Sequence, residues 1–168
     1  MFVNCLFCQT QRCRRIAELL EKRGAVRAFS PQIVSRQRKQ GKNEDVYHDM
    51  LPGYVFVYLH HKLDDYGLFS GVDGIVRILG RNNGLLGLTG ADLDFAIGLF
   101  QRNGIVGVAT VIKKGDTVRI QEALFERYEG VIDAIDYRKQ RVKVKFNFDD
   151  QERTVWMACN VMYKDDKR

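Results

Sequence analysis

The most reactive side chains in this chain of 168 residues are its thiols. Cys5-x-x-Cys8 has the spacing of a zinc-ligand pair, and Cys13 would be a third ligand. Positions i and i+3 on a strand point to opposite faces, however, and no fourth ligand stands nearby. Buried free thiols are the expected state, with no metal. His48, His60 and His61 have no partners that resemble a catalytic dyad. Asp64-Asp65 and Asp149-Asp150 fall in polar stretches that read as turns, where carboxylates are common. The chain shows no phosphate-binding glycine loop, nucleophile motif or paired acid and base. The expectation is a protein that is not an enzyme and needs no cofactor.

What remains is the chemistry of recognition. Arg36, Arg38, Lys39 and Lys42 surround Gly41 in a polar stretch that reads as an exposed basic loop or hairpin tip. Such charge can position a phosphate backbone but cannot read sequence without a stacking partner. A solvated tip accounts for it equally well. The second basic set is Lys113, Lys114, Arg119, Arg127, Arg138, Lys139, Arg141, Lys143 and Lys145. Tyr128 and Tyr137 lie close by in sequence, and stacking combined with phosphate contact suits RNA. Glu122, Glu126, Glu129 and Asp133 dilute that charge. The net charge of +6 agrees with an anionic partner without reaching histone-like density.

The elements that must carry these groups follow from periodicity. Val3–Gln9 reads as a buried strand. Thr10 is placed to cap a helix in which Cys13, Ile16, Ala17 and Leu20 form one stripe, with Gly24 as its stop. Val26–Val34 is strand-like and interrupted by Pro31. In Val55–Leu59 both alternating sets are apolar, so that strand is expected to be covered on both sides. Asp64–Ser70 reads as a short helix, Gly74–Leu79 as a strand and Asn82–Leu85 as a turn. Thr89 and Asp92 have capping-box spacing ahead of a helix with Leu93, Ala96, Ile97 and Phe100 on one stripe, closed by Asn103-Gly104.

Gly104–Ile112 has no helical period and is expected to be a link. Val118 and Ile120 alternate with Thr117 and Arg119. Gly130 ends the excursion that follows, and a second strand starts at Val131. Val142, Val144, Phe146 and Phe148 alternate with Lys143, Lys145 and Asn147 in the most regular amphipathic strand of the chain. A turn at Asp149-Asp150 and a strand over Arg153–Met157 complete the series. The order implies an α+β domain followed by a small β-barrel. No apolar run reaches the ~18 residues of a membrane span. With no export signal at the start, the four cysteines point to a reducing cytoplasm.

The segment Lys113–Asp136, strand–loop–strand around Gly130, looks like a KOW motif. Leu51-Pro-Gly-Tyr-Val-Phe-Val and Val72-Asp-Gly-Ile-Val-Arg-Ile-Leu-Gly80 precede it. Together the three resemble the NusG family of transcription elongation factors over nearly the whole chain. The resemblance implies an NGN-type antiparallel sheet flanked by helices at 1–103, a linker at 104–112 and an SH3-like KOW barrel at 113–168. Val3-Asn4 replaces the usual Trp-Tyr pair, Gln11 the small glycine after the first strand, Ala123-Leu124 the loop Gly-Pro, and Leu51 the usual Phe. These departures resemble a specialised paralogue of the LoaP antiterminator type.

By that resemblance, Phe7, Leu51, Pro52, Tyr54 and Phe56 would form an apolar patch for the clamp helices of the largest RNA polymerase subunit. Arg36, Arg38 and Lys39 would touch upstream DNA. The barrel's basic set would bind an RNA hairpin, and Phe125 would contact a ribosomal protein or termination factor. The protein would act as a monomer. The strict alternation of Val142–Phe148 predicts a stable barrel that does not refold into helices. The alternative is a ribosome- or RNA-associated KOW protein without polymerase binding.

Overall fold

The computed structural model describes residues 1–81, 84, 86–125 and 131–164. Arg127, Tyr128, Gly130 and most of the expected 82–85 turn lie outside the described residues. Two compact units are present, one of residues 1–32 with 49–104 and one of residues 33–48 with 105–168.

The first unit is built on β1 (Phe2–Cys8). Its neighbours in the sheet are β5 (Tyr54–Leu59) and β6 (Ile75–Ile78), and β2 (Arg27–Phe29) lies beyond β5. All these pairings are antiparallel. Every residue of β5 is buried, as its doubly apolar pattern requires. Val55, Val57 and Leu59 pack with Leu6 and Cys8 against Ile16, Ala17 and Leu20 of α1 (Cys13–Lys22). The opposite face carries Phe56 and Tyr58, whose rings meet Phe95 and Phe100 of α2 (Gly90–Gln101). The Tyr58 hydroxyl donates to the Ala96 carbonyl at 2.7 Å. A sheet between two helices gives both faces of β5 a cover.

Local details depart from expectation at four points, one being Thr89, which stands at the start of α2 but makes no side-chain cap. Thr10 does not cap α1; Thr10–Arg12 forms a 3-10 turn with no side-chain cap. Over Asp64–Ser70 only Gly67–Phe69 is helical, a single 3-10 turn in which Asp65 Oδ1 accepts from the Gly67 N–H at 2.7 Å. In α2 the buried residues are Phe95, Ala96 and Leu99; of the expected stripe Ala96 is buried, while Leu93, Ile97 and Phe100 are half-buried. Leucine, isoleucine and phenylalanine occur on most sides of this helix, so periodicity alone does not select the inner face.

The turn into β5 is set by two residues. The Tyr54 N–H donates to the Leu51 carbonyl at 3.1 Å across Pro52-Gly53. Gly53 has φ +89°, and its position suits a type II turn. A Cβ at Gly53 would lie 2.8 Å from Phe7 Cε2 and 3.0 Å from the Cys8 carbonyl oxygen, so glycine is required twice over.

The second unit contains the hairpin β3 (Gln32–Lys39) and β4 (Lys42–Asp49) apart from its end residues Gln32 and Asp49, with β7 (Ile105–Val106) on the other edge of β3. The basic stretch, expected as an exposed loop or hairpin tip, is the end of this hairpin, turning at Gln40-Gly41. The rest is a curled five-stranded sheet in the order β10-β11-β12-β8-β9. These strands are β8 (Ala109–Lys114), β9 (Thr117–Gln121), β10 (Ile132–Asp136), β11 (Arg141–Phe148) and β12 (Gln151–Tyr163). β12 runs far past the expected Met157. Its first part pairs antiparallel with β11 and its last part parallel with β8.

Residues 104–112 are consequently not a simple link, because Ala109–Ile112 pair with Cys159–Met162. Val142, Val144, Phe146 and Phe148 are all buried, as their alternation predicts. Phe125 is also buried, its ring 5.7 Å from that of Phe146. The expectation that Phe125 offers an exposed partner contact is corrected: it belongs to the barrel core.

Candidate functional site

The apolar patch expected around the Pro-Gly turn is divided by burial. Leu51, Tyr54 and Phe56 are 2%, 4% and 0% exposed. They cannot act as open anchors in this conformation, and the expectation of exposed side chains is corrected there. Phe56 is held against Phe95, and Tyr54 lies opposite Phe7 in the β1–β5 register with ring centroids 5.1 Å apart. Phe7 is half-buried and Pro52 is exposed. The accessible apolar edge is therefore Phe7 and Pro52, with Tyr54 and Leu51 supporting it from below.

The hairpin cations also separate into two kinds. The Arg36 side chain is only 13% exposed, and its Nε donates to Asp45 Oδ1 at 2.9 Å. Arg36 Nη1 donates to the Cys159 carbonyl at 2.8 Å and to Asn160 Oδ1 at 3.1 Å. These bonds commit Arg36 to holding the hairpin on β12, which corrects its assignment as a DNA contact. Arg38, Lys39 and Lys42 are exposed at the hairpin end and stay available to phosphates.

On β11 the three cations project from the outer face, each within reach of a carboxylate. Arg141 lies 3.5 Å from Asp136, Lys143 lies 3.4 Å from Asp133, and Lys145 lies 3.7 Å from Asp133 and 3.6 Å from Glu152. The Asp136 carboxyl is held below the usual range, first by the Lys139 N–H, which donates to it at 3.0 Å, and then by Arg141 and Lys139 charge. Pairs this exposed are worth at most about 1 kcal/mol each and exchange readily for a ligand phosphate. Lys113 Nζ sits 5.5 Å from the Tyr137 ring centroid, so these two expected residues do come together. Arg119, Arg138 and Lys114 are exposed, and Lys139 is half-buried.

One aromatic residue was not singled out by the sequence. Trp156 on β12 stands opposite Lys143 in the β11–β12 register and carries the Arg141 guanidinium 4.4 Å from its ring centroid. It is half-buried and lines a groove of about 310 Å³ with Ser35, Gln37 and His48 of the hairpin. The signal available in the sequence was a lone tryptophan on a strand beside a strand of alternating cations.

Cys5, Cys8, Cys13 and Cys159 are buried thiols, with no disulfide among them. Burial pushes the Cys8 thiol up to about 12, with Cys13 adding to it. Burial, then the Asp49 charge, raises Cys13, while Arg36 partly offsets the burial that raises Cys159. Raised thiols are poor nucleophiles and poor metal ligands. Among the described residues, no three His, Cys, Asp or Glu side chains gather as a metal site, and no helix is long and apolar enough to cross a membrane.

Comparison with known proteins agrees with this geometry. The family model described as transcription termination factor NusG matches residues 5–94. That span holds the Cys5–Cys8 part of β1, the Pro52-Gly53 turn, β5 and the start of α2. The transcription termination/antitermination protein NusG of Rickettsia prowazekii (strain Madrid E) is 22% identical over 129 residues, covering 76% of this chain and 67% of that protein. The NusG protein of Buchnera aphidicola subsp. Baizongia pistaciae is 26% identical over 126 residues, covering 72% of this chain and 67% of that one. With more than half of its residues inside the family match and the sheet, helices and curled C-terminal sheet in place, this chain belongs to the NusG family.

Proposed function

We propose that this protein is a transcription elongation and antitermination factor of a specialised, LoaP-like kind, working in the cytoplasm as a monomer. As a member of the NusG family it is a transcription termination/antitermination factor, and the relatives it matches are transcription factors rather than enzymes. In this reading, Phe7 and Pro52 meet the clamp helices of the largest RNA polymerase subunit, with Leu51, Tyr54 and Phe56 as the rigid bed beneath. A few apolar side chains in a desolvated patch supply most of such an interface's energy. Binding across the clamp would favour its closed state and so disfavour pausing and termination. Arg38 and Lys39 would rest on upstream DNA, and the outer barrel face, with Lys113, Arg119, Arg138, Lys139, Lys143 and Lys145, would take an RNA hairpin.

The observation that carries this reading is the family match over β1 and the Pro52-Gly53 turn, where the accessible apolar edge lies. Co-purification of the full chain with core polymerase and, separately, with ribosomes tests it. Retention on polymerase is the expected result. Retention on ribosomes alone would favour a ribosome-associated protein and overturn the polymerase assignment.

A further inference from the structure

The groove beside Trp156 has a composition that neither the polymerase edge nor a phosphate-binding face requires. One wall is the outer face of β11 and β12, with Trp156, Arg141 and Lys143; the other is the hairpin, with Ser35, Gln37 and His48. The guanidinium of Arg141 lies against the tryptophan ring and stiffens it. Arg141 Nε is buried and sits 3.5 Å from Asp136 Oδ2, an ion-pair distance that satisfies no hydrogen bond. Ser35 is 3% exposed and fixes the floor. Gln37 and His48 are exposed and bring both donors and acceptors to the rim.

We propose that this groove receives one unpaired nucleotide of an RNA, its base stacked on the Arg141–Trp156 pair and its phosphate near Lys143. The inference deepens the RNA reading above and rests on it. Three observations favour this occupant. A tryptophan carrying a guanidinium on its ring, with a lysine opposite it on the next strand, is an arrangement that holds a single-stranded base and its backbone together. The volume of about 310 Å³ is at the small end of ligand sites, enough for one nucleotide but not for a duplex. The amide and imidazole at the rim can address the base edge that pairing would otherwise hide, which makes a loop or bulge the preferred target.

Trp156 is the only tryptophan in the chain, so its emission reports this groove alone. The full protein is titrated with short single-stranded RNA homopolymers of each of the four bases, with blunt duplex RNA and with polyglutamate. Labelled-RNA anisotropy and tryptophan emission are read together. At least one homopolymer is expected to quench Trp156 saturably, while the duplex does not. Gln37→Glu, an exposed change that places a negative charge at the rim, is expected to weaken that binding roughly tenfold with an unchanged melting curve, as loss of one stacked base would. Trp156→Phe retains most of the binding and Trp156→Leu loses it, both checked by circular dichroism for folding.

If anisotropy reports RNA binding while Trp156 emission stays constant and Gln37→Glu binds as the parent does, the groove assignment is overturned and RNA binding stands elsewhere. If no RNA binds by either readout, the RNA reading itself fails and the groove proposal falls with it. Quenching by polyglutamate but not by RNA would assign the groove to an acidic peptide and overturn the proposal.

Discussion

Arg36 and Asp45 face each other across the β3–β4 hairpin, Nε to Oδ1 at 2.9 Å, and the other end of the Arg36 fork reaches the Cys159 carbonyl at 2.8 Å. One side chain thus ties the two strands of the hairpin to β12. The same register brings Gln32 to Asp49, which fits a two-residue turn at Gln40-Gly41. Arg36→Ala removes bonds to a carboxylate, a carbonyl and two side-chain amides together. It is expected to destabilise the protein by about 1–3 kcal/mol. Arg38→Ala, two residues on and exposed, should stay within about 0.5 kcal/mol of the parent. Denaturant midpoints of the two variants check the contrast, and equal midpoints would return Arg36 to the surface set.

Gly53→Ala is expected to destabilise by about 1–3 kcal/mol, because φ +89° disfavours an L side chain and the new methyl would meet Phe7 and the Cys8 carbonyl. Its thermal midpoint should fall clearly below that of Gly41→Ala, where φ is +80° but a Cβ meets nothing within 4 Å. The comparison isolates the steric part from the backbone part.

Tyr58→Phe removes a hydroxyl that donates to Ala96 at 2.7 Å inside the first unit. A loss of about 0.5–1.5 kcal/mol is expected, since the ring packing against Phe29 and Phe100 survives. Equilibrium unfolding would register it, and a neutral result would mean that the Ala96 carbonyl finds another donor.

The buried thiols set an alkaline limit. Cys8 has a folded value of about 12 against an ordinary 9, so the unfolded chain ionises first. Its stabilising effect is complete below the unfolded value and is lost as pH rises from about 9 to 12. The protein should lose stability over that window, and Cys8→Ser should flatten the loss. In the native state at neutral pH, alkylation of Cys5, Cys8, Cys13 and Cys159 should be slow and should become fast in denaturant.

Much of the fold was legible because its patterns were one-sided. Cys13, Ile16, Ala17 and Leu20 could face only one way, and all four are buried. The alternation of Val142 to Phe148 likewise left a single inner face. The inner face of α2 was only partly legible, because Phe95 and Leu99 compete with Leu93, Ile97 and Phe100, and the sheet takes from both sets, Phe56 meeting Phe95 and Tyr58 meeting Phe100. The strand at Ala109–Lys114 pairs with β9 directly after it and with the end of β12 about fifty residues on, and that distant neighbour leaves no mark in the local pattern. Sequence could not separate Arg36 from Arg38, since the groups that claim Arg36 sit near position 160. Burial of Leu51 and Tyr54 was invisible for the same reason, as turn residues and core residues share one composition here.

The polymerase edge is tested most directly by the affinity of the full chain for core RNA polymerase, measured for the parent and for Pro52→Asp. Pro52 is exposed, so the variant should keep the parent's circular dichroism, with a thermal midpoint lowered by no more than the ~0.4–1 kcal/mol that a turn proline contributes. With a negative charge beside Phe7, the expected result is at least a tenfold loss of affinity, about 1.4 kcal/mol. Equal affinities for two folded proteins would contradict the placement of the polymerase contact on this edge.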